Sequence, residues 1–274
     1  MSASPPALPK SDPRITIDTT AYGPSDKRQV VYGLAPMRKA PSDAAEMVNE
    51  LRYGDTFTVY EEKDGWAFGQ SGRDGYVGHV LAIALSKKLF TPTHRIGALF
   101  TFLFPEPSVK VTPLDRPTYF SGVEVVGESG HFYELSAGGF IHRARLVKLI
   151  DWKEKDPVGV AEKLMYAPYL WGGVSPLGCD CSGLVQLALE ATGTECPRDS
   201  DMQMESLGAV VMHTKTGAYE KLQRGDLVFF KGHVGFMADD VNLLHANAYH
   251  GRVALEPLAE VVARGSKIIA VKRI

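Results

Sequence analysis

The rhythm of apolar and polar positions changes once along the chain, near residue 156. Before that point the alternation has a period of two. Thr56-Phe57-Thr58-Val59-Tyr60 alternates, Asp64-Gly65 turns, Trp66-Ala67-Phe68 alternates again, and Arg73-Asp74-Gly75 turns ahead of Tyr76-Val77-Gly78-His79-Val80. Short β-rich runs punctuated by Gly and Asp read as antiparallel strands, and residues 15–88 are predicted to close into a small all-β barrel. A weaker copy follows over residues 89–150. There Phe132 and Gly139-Phe140-Ile141-His142-Arg143 echo Trp66 and Gly75-Tyr76-Val77-Gly78-His79, and Leu103-Phe104-Pro105-Glu106-Pro107 echoes Pro36-Met37-Arg38-Lys39-Ala40-Pro41. Order and spacing thus predict two tandem domains of one kind. Residues 1–14, rich in Pro, Ser and Ala, read as a disordered tail.

Asp151-Trp152-Lys153-Glu154-Lys155-Asp156-Pro157 has the charge and the closing proline of a linker that enters a helix. Beyond it the period becomes helical. Helices are predicted over Val158 to Met165, Cys181 to about Ala191, and Asp199 to about Leu207, followed by strands at Asp226 to Phe230, His233 to Met237 and Asn242 to Asn247. Helices first and strands afterwards predict an α+β domain over 156–274, not alternating βαβ units.

Composition narrows the function classes. The 274 residues are 45% hydrophobic and 23% charged, with a formal net charge of −2, which gives no bulk attraction to nucleic acid or an anionic membrane. The first ten residues lack the apolar core of a signal peptide, and no apolar run is long enough to span a bilayer, so a cytoplasmic location is expected. Cys179, Cys181 and Cys196 lie too close together for a disulfide framework. Cys179-x-Cys181 with a histidine could hold zinc, but Cys196 completes no second pair of the kind structural zinc sites use. No metal or other cofactor is expected.

The chemistry centres on Asp180-Cys181-Ser182-Gly183-Leu184-Val185. Turn-forming Tyr169-Leu170-Trp171-Gly172-Gly173 precedes it, while Leu184, Val185, Leu187, Ala188 and Ala191 recur at helical spacing, so Cys181 stands at a helix start. Unpaired first-turn amides and the macrodipole favour thiolate there, and such a cysteine is expected to ionise below its ordinary pKa. Free cysteines are also commonly buried as small hydrophobes, and Asp180 and Ser182 are ordinary helix caps. What separates the readings is a partner base. His233 opens one predicted strand and His245 stands on the next, suited to take the thiol proton and to orient the ring that takes it. The two lie 245 − 233 = 12 positions apart. On a direct hairpin they share a face only if the turn has an odd number of residues or a bulge intervenes, so a three- or five-residue turn around Asp239, or a bulge beside it, is predicted.

In order from about Asp156 to Ile274, the blocks Tyr169-Leu170-Trp171-Gly172-Gly173, Asp180-Cys181-Ser182-Gly183-Leu184-Val185-Gln186, Arg198-Asp199-Ser200-Asp201-Met202-Gln203, Gly225-Asp226-Leu227-Val228-Phe229-Phe230, Gly232-His233-Val234-Gly235 and His245-Ala246 resemble the signature of NlpC/P60 cysteine peptidases. The two β-rich segments resemble bacterial SH3 (SH3b) domains, the second without the usual Trp. The resemblance implies two SH3b-like barrels followed by a papain-like α+β catalytic domain. It also implies cleavage of the γ-D-glutamyl to L-diamino acid bond in murein peptides with a free N-terminal L-alanine, in murein peptide recycling. By motif, Cys181 becomes the nucleophile, His233 the base and His245 the orienting residue. Asp180 becomes the reader of the substrate amine, Ser182 and Ser200 contacts to the γ-D-glutamyl portion, Tyr76 and Trp171 further substrate contacts. Cys179 departs from the family pattern. Three other readings share these residues: a hydrolase of intact peptidoglycan, a thiol-dependent acyl or amide transferase, and a wall-binding protein with an inert C-terminal scaffold.

Overall fold

The computed structural model describes residues 12–211 and 221–274; most of the expected N-terminal tail therefore lies outside the described residues. Those up to Lys153 make one compact unit and those from Glu154 to Ile274 another.

The first unit is all β. Its strands β1 (Asp26–Val30), β2 (Leu34–Arg38), β3 (Met47–Arg52), β4 (Thr56–Lys63), β5 (Trp66–Ser71), β6 (Val77–Leu81) and β7 (Leu85–Ser86) form one sheet in the order β3-β2-β6-β5-β4-β1-β7. Alternation along β5 buries Ala67, Gly69 and Ser71 while the residues between them are half-buried, as a one-sided strand requires. The apolar face closes on Val30, Met37, Leu51, Phe57 and Val80. The expected barrel is not closed. Beginning at β3 and ending at the two-residue β7, the order does not return on itself. Residues 12–14, expected in the tail, instead lie along β6, where the Val77 N–H donates to the Arg14 carbonyl at 2.8 Å.

Strands β8 (His94–Ile96), β9 (Gly122–Val123), β10 (Val125–Ser129), β11 (Phe132–Leu135), β12 (Phe140–His142) and β13 (Leu146–Lys148) make two three-stranded sheets, β13-β8-β9 and β10-β11-β12. Their core of Ile96, Leu103, Val123, Leu135 and Ile141 also contains Tyr53. Tyr53 directly follows β3, so a residue of the first repeat packs in this core. Gly54, at φ 87°, allows this approach: a Cβ there would stand 2.2 Å from the Gly122 carbonyl oxygen.

The second unit contains α1 (Pro157–Lys163), β14 (Val174–Ser175), β15 (Gly178–Cys179), α2 (Cys181–Ala191), α3 (Ser200–Ser206), β16 (Ala209–Val210), β17 (Leu227–Phe230), β18 (His233–Met237), β19 (Asn242–Asn247), β20 (Arg252–Pro257), α4 (Leu258–Ala263) and β21 (Ile268–Arg273). A six-stranded antiparallel sheet runs β16-β21-β17-β18-β19-β20. Helices α1, α2 and α3 match the expected helices, and β17, β18 and β19 the expected strands, with ends shifted by a residue or two; β20, α4 and β21 complete the domain. Helix α2 is apolar all round because it is the internal one: every residue from Cys181 to Ala191 except Glu190 is buried, with α1 on one side and β18 and β19 on another. Burying Leu184, Val185, Leu187 and Leu189 contributes roughly 1.5 to 3 kcal/mol each.

Candidate active site

Helix α2 begins where a side-chain cap and two close backbone approaches place it. Asp180 is its N-cap, accepting the Gly183 N–H at 2.7 Å. Gly183 packs so tightly on the preceding turn that a Cβ would meet the Gly173 carbonyl oxygen at 2.1 Å, and a Cβ on Gly173 would in turn meet the Gly178 carbonyl oxygen at 2.4 Å. The glycines of two sequence blocks thus serve one purpose: they let the 169–173 turn lie directly against the helix start and fix Cys181 on its first turn.

Both Asp180 oxygens are engaged by the protein. Oδ1 accepts from Gly183 N–H, from Ser182 Oγ at 3.2 Å and from Arg198 Nη1 at 3.0 Å; Oδ2 accepts from Gly172 N–H at 2.8 Å and from Arg198 Nη2. Arg198 also donates to Ser182 Oγ at 2.9 Å. Arg198 and Asp180 are 1% and 6% exposed, so this bidentate pair is a buried ion pair whose separation would leave a charge without compensation, at about 3 to 5 kcal/mol. Arg198 had been legible only as part of a motif block.

Opposite the helix start, the two histidines meet. Strands β17 and β18 are joined by Lys231-Gly232, with Gly232 at φ 70°, and β18 pairs with β19 through Phe236 to Leu244 and Met237 to Leu243. The Ala238 N–H donates to the Asn242 carbonyl at 2.8 Å, which leaves Asp239, Asp240 and Val241 as a three-residue turn. The turn is odd, as predicted, though centred on Asp240. His233 and His245 therefore share a face on a diagonal, not directly opposite, and His233 Nε2 lies 2.7 Å from His245 Nδ1. The position opposite His245 on β18 is Gly235, where a Cβ would stand 2.8 Å from the His245 Cβ. Without that atom, the His233 ring can lean across.

The chain of contacts continues. His245 Nε2 lies 2.8 Å from Glu256 Oε1 on β20, and Arg264 Nη2 donates to the same oxygen at 2.6 Å. Neither Glu256 nor Arg264 was expected from the sequence. The alternation of Arg252-Val253-Ala254-Leu255-Glu256-Pro257 shows which residues share a face of β20, but only the register, with His245 opposite Ala254, brings Glu256 to the histidine.

Electrostatics run opposite to the expectation for the thiol. Burial first, and then the Asp180 carboxylate, push Cys181 up to about 12, against the Val234 and Ser182 amides that hydrogen-bond its sulfur and the pull of Arg198. The helix start is too deeply desolvated for its dipole to hold a resting thiolate. His233 is held down at about 4, by burial and then by the neighbouring His245. At neutral pH the pair is thus an uncharged thiol, with its sulfur against the His233–Val234 peptide, and an uncharged imidazole. Tyr169, half-buried, is raised to about 12 by burial and then by Cys181 and Asp180, so its hydroxyl stays protonated. A neutral thiol, a neutral base and a nearby O–H donor are the parts of nucleophilic acyl transfer with general-base assistance.

The remaining expected residues are more scattered. Ser200 opens α3, two positions after Arg198, and is half-buried. Trp171 is 57% exposed on the turn that backs α2. Tyr76 belongs to the first unit, nearly buried, where it lines a cavity of about 560 Å³ with Phe68, Tyr22 and Lys39. Cys179 is buried in β15 and Cys196 is buried after α2. Among the described residues no three His, Cys, Asp or Glu side chains form a metal cluster, and no helix is long and apolar enough to cross a membrane.

Residues 166–269 match the model of the NlpC/P60 family, and residues 37–85 match that of the bacterial dipeptidyl-peptidase SH3 domain. The chain carries an NlpC/P60 domain and a bacterial SH3 domain. It is similar to dipeptidyl-peptidase 6 of Lysinibacillus sphaericus, 27% identical over 84% of this chain and 91% of that protein. It is also similar to a γ-D-glutamyl-L-lysine dipeptidyl-peptidase of Bacillus cereus, 33% identical over 38% of this chain but only 31% of that protein's length. Among solved structures, an NlpC/P60 family protein from Bacillus cereus shares the fold at a TM-score of 0.73 and 19% identity, over 90% of this chain and 99% of that one. The NlpC/P60 match takes in Cys181, Arg198, His233, His245 and Glu256 together.

Proposed function

We propose that the protein is a cysteine peptidase that cleaves the γ-D-glutamyl to L-diamino acid bond of short wall-derived peptides with a free N-terminal L-alanine, and that it serves murein peptide recycling. The observation that carries this reading is that, within the NlpC/P60 domain, the Cys181 sulfur lies against the His233–Val234 peptide while His233 Nε2 stands 2.7 Å from His245 Nδ1. The name of the Bacillus cereus relative, a γ-D-glutamyl-L-lysine dipeptidyl-peptidase, supports the bond chosen.

In this mechanism His233 Nδ1 takes the Cys181 proton as the sulfur attacks the γ-carbonyl. The C–N bond then breaks, the same proton leaves on the diamino acid's amine, and water hydrolyses the thioester to free L-Ala-D-Glu. Tyr169 and the N-terminus of α2 stabilise the developing oxyanion. Asp180 acts differently from the expectation attached to it. Its oxygens already accept five protein hydrogen bonds, two of them from Arg198, so it holds the helix start in place and is not a lone charge waiting for an ammonium. Asp180→Asn is accordingly expected to slow the free and the N-acetylated peptide by the same factor. A gap that narrows in the variant would return the amine-reading role to Asp180.

The test is to incubate the chain with L-Ala-γ-D-Glu-L-Lys and follow release of L-Ala-D-Glu. Release from the free tripeptide supports the reading. Activity confined to intact peptidoglycan, or thioester formation only with a lipid acyl donor, would replace it.

A further inference from the structure

Resting on the peptidase reading above, we infer that Glu256 is a positioning residue for catalysis, which acts through His245 to fix the tautomers of both imidazoles so that His233 presents a bare nitrogen to Cys181.

On β19, His245 stands opposite Gly235 of β18, by continuation of the Phe236 to Leu244 pairing, and opposite Ala254 of β20. Both neighbours are small. The functional residues sit two positions away, His233 before Gly235 and Glu256 after Ala254, on the same face. They form one diagonal across three strands, at a separation long side chains can bridge. The contacts along it are 2.7 Å and 2.8 Å.

Proton placement then follows from chemistry. A carboxylate only accepts. Glu256 is ionised: burial opposes this, but hydrogen bonds from Arg264, His245 and His250 outweigh it and hold the group at about 2. His245 Nε2 must therefore carry hydrogen, leaving Nδ1 as a lone pair. That lone pair faces His233 Nε2 at 2.7 Å, so His233 Nε2 must donate, and its Nδ1 is left free to take the thiol proton. One carboxylate sets two rings in series.

The structure also contains the group that would set them wrongly. Asn247 Nδ2 lies 3.0 Å from His245 Nε2, and its Oδ1 accepts the His250 N–H, which fixes the amide's orientation. With Glu256 ionised and nearer, Nε2 is already a donor and Asn247 has no lone pair to address. Without the carboxylate, Asn247 would donate to Nε2, the proton would move to His245 Nδ1, and His233 would be forced to hold its own proton on Nδ1. The charged and titratable groups around this carboxylate are His245 and His233 on the neighbouring strands, His250 at 3.2 Å from the turn after β19, and Arg264 following α4, whose guanidinium lies 4.4 Å over the Tyr249 ring.

The test uses the full-length chain. Nitrogen-15 NMR of the imidazoles in the unmutated protein is expected to show Nε2–H tautomers for both His233 and His245. Glu256→Gln is expected to lower kcat about a hundredfold or more, the scale of a tautomer error in a catalytic triad, with KM changed less than about twofold because Glu256 does not touch substrate. Adding Asn247→Asp to Glu256→Gln restores an acceptor beside His245 Nε2 and should recover at least about tenfold in kcat, which a residue that only supports the fold would not do. An Nδ1–H tautomer at His245 overturns the inference, even if Glu256→Gln fails to fold. So does unchanged kcat in Glu256→Gln where Cys181→Ala is inactive, and that result leaves the peptidase reading standing. A chain inactive on the tripeptide fails the peptidase reading, while the NMR measurement still decides the tautomers.

Discussion

At the scale of single residues, the site is built on a neutral thiol. A cysteine at a helix start reads from sequence as a thiolate site, because unpaired amides and the dipole are legible there. Burial is not legible, and it wins: Cys181 lies at about 12 and His233 at about 4. Alkylation of Cys181 by iodoacetamide should therefore rise steadily with pH across the neutral range. A plateau of high reactivity from about pH 4 to 8 would indicate a resting thiolate–imidazolium pair instead. Activity should fall in acid as pH drops through about 4, where His233 takes up its proton. Arg198 is the second residue whose role sequence hides. Its number lies 18 positions beyond Asp180, and only the folded turn brings the two together as a buried pair.

At the scale of elements, the site is a property of strand register. The parity argument from His233 and His245 anticipates the odd turn because a strand's faces alternate strictly. It cannot anticipate how far the strands slide. The observed two-residue offset places Gly235 opposite His245, and gives that glycine a purpose that its place in a Gly-His-Val-Gly block does not announce. Gly235→Ala should push on the His245 Cβ and lengthen the His233 contact, lowering kcat at least about tenfold by disturbing base geometry. Unchanged kcat in the folded variant would mean the diagonal contact does not matter to turnover. Glu256 escaped the sequence reading for the same reason, since β20 was not anticipated and its register with β19 is a tertiary fact.

At the scale of the whole molecule, the described chain divides into two compact units between Lys153 and Glu154. Tyr53, from the first repeat, packs in the core of the second. All residues of the proposed catalytic chain lie in the unit from Glu154 to Ile274, so acid should weaken that unit through them. His233 titrates at about 4 folded and ordinarily at 6.5; the unfolded chain takes up its proton first, so stability falls between those values as pH drops, by roughly 3 kcal/mol. Glu256, held at about 2 against an ordinary 4.5, adds a further loss across that lower window. Urea midpoints measured at pH 7 and pH 4 should differ less in His233→Asn than in the unmutated chain. An equal difference in both would assign the acid sensitivity to other groups.

Whether Cys181 carries the acyl group of a cleaved γ-D-glutamyl peptide is read out by intact-protein mass spectrometry of acid-quenched mixtures with L-Ala-γ-D-Glu-L-Lys. An L-Ala-γ-D-Glu adduct mapped to Cys181 is expected in the unmutated chain, and in Cys181→Ala neither adduct nor released dipeptide. Continued release of L-Ala-D-Glu by Cys181→Ala, or an adduct mapped to another residue, would contradict that role of Cys181.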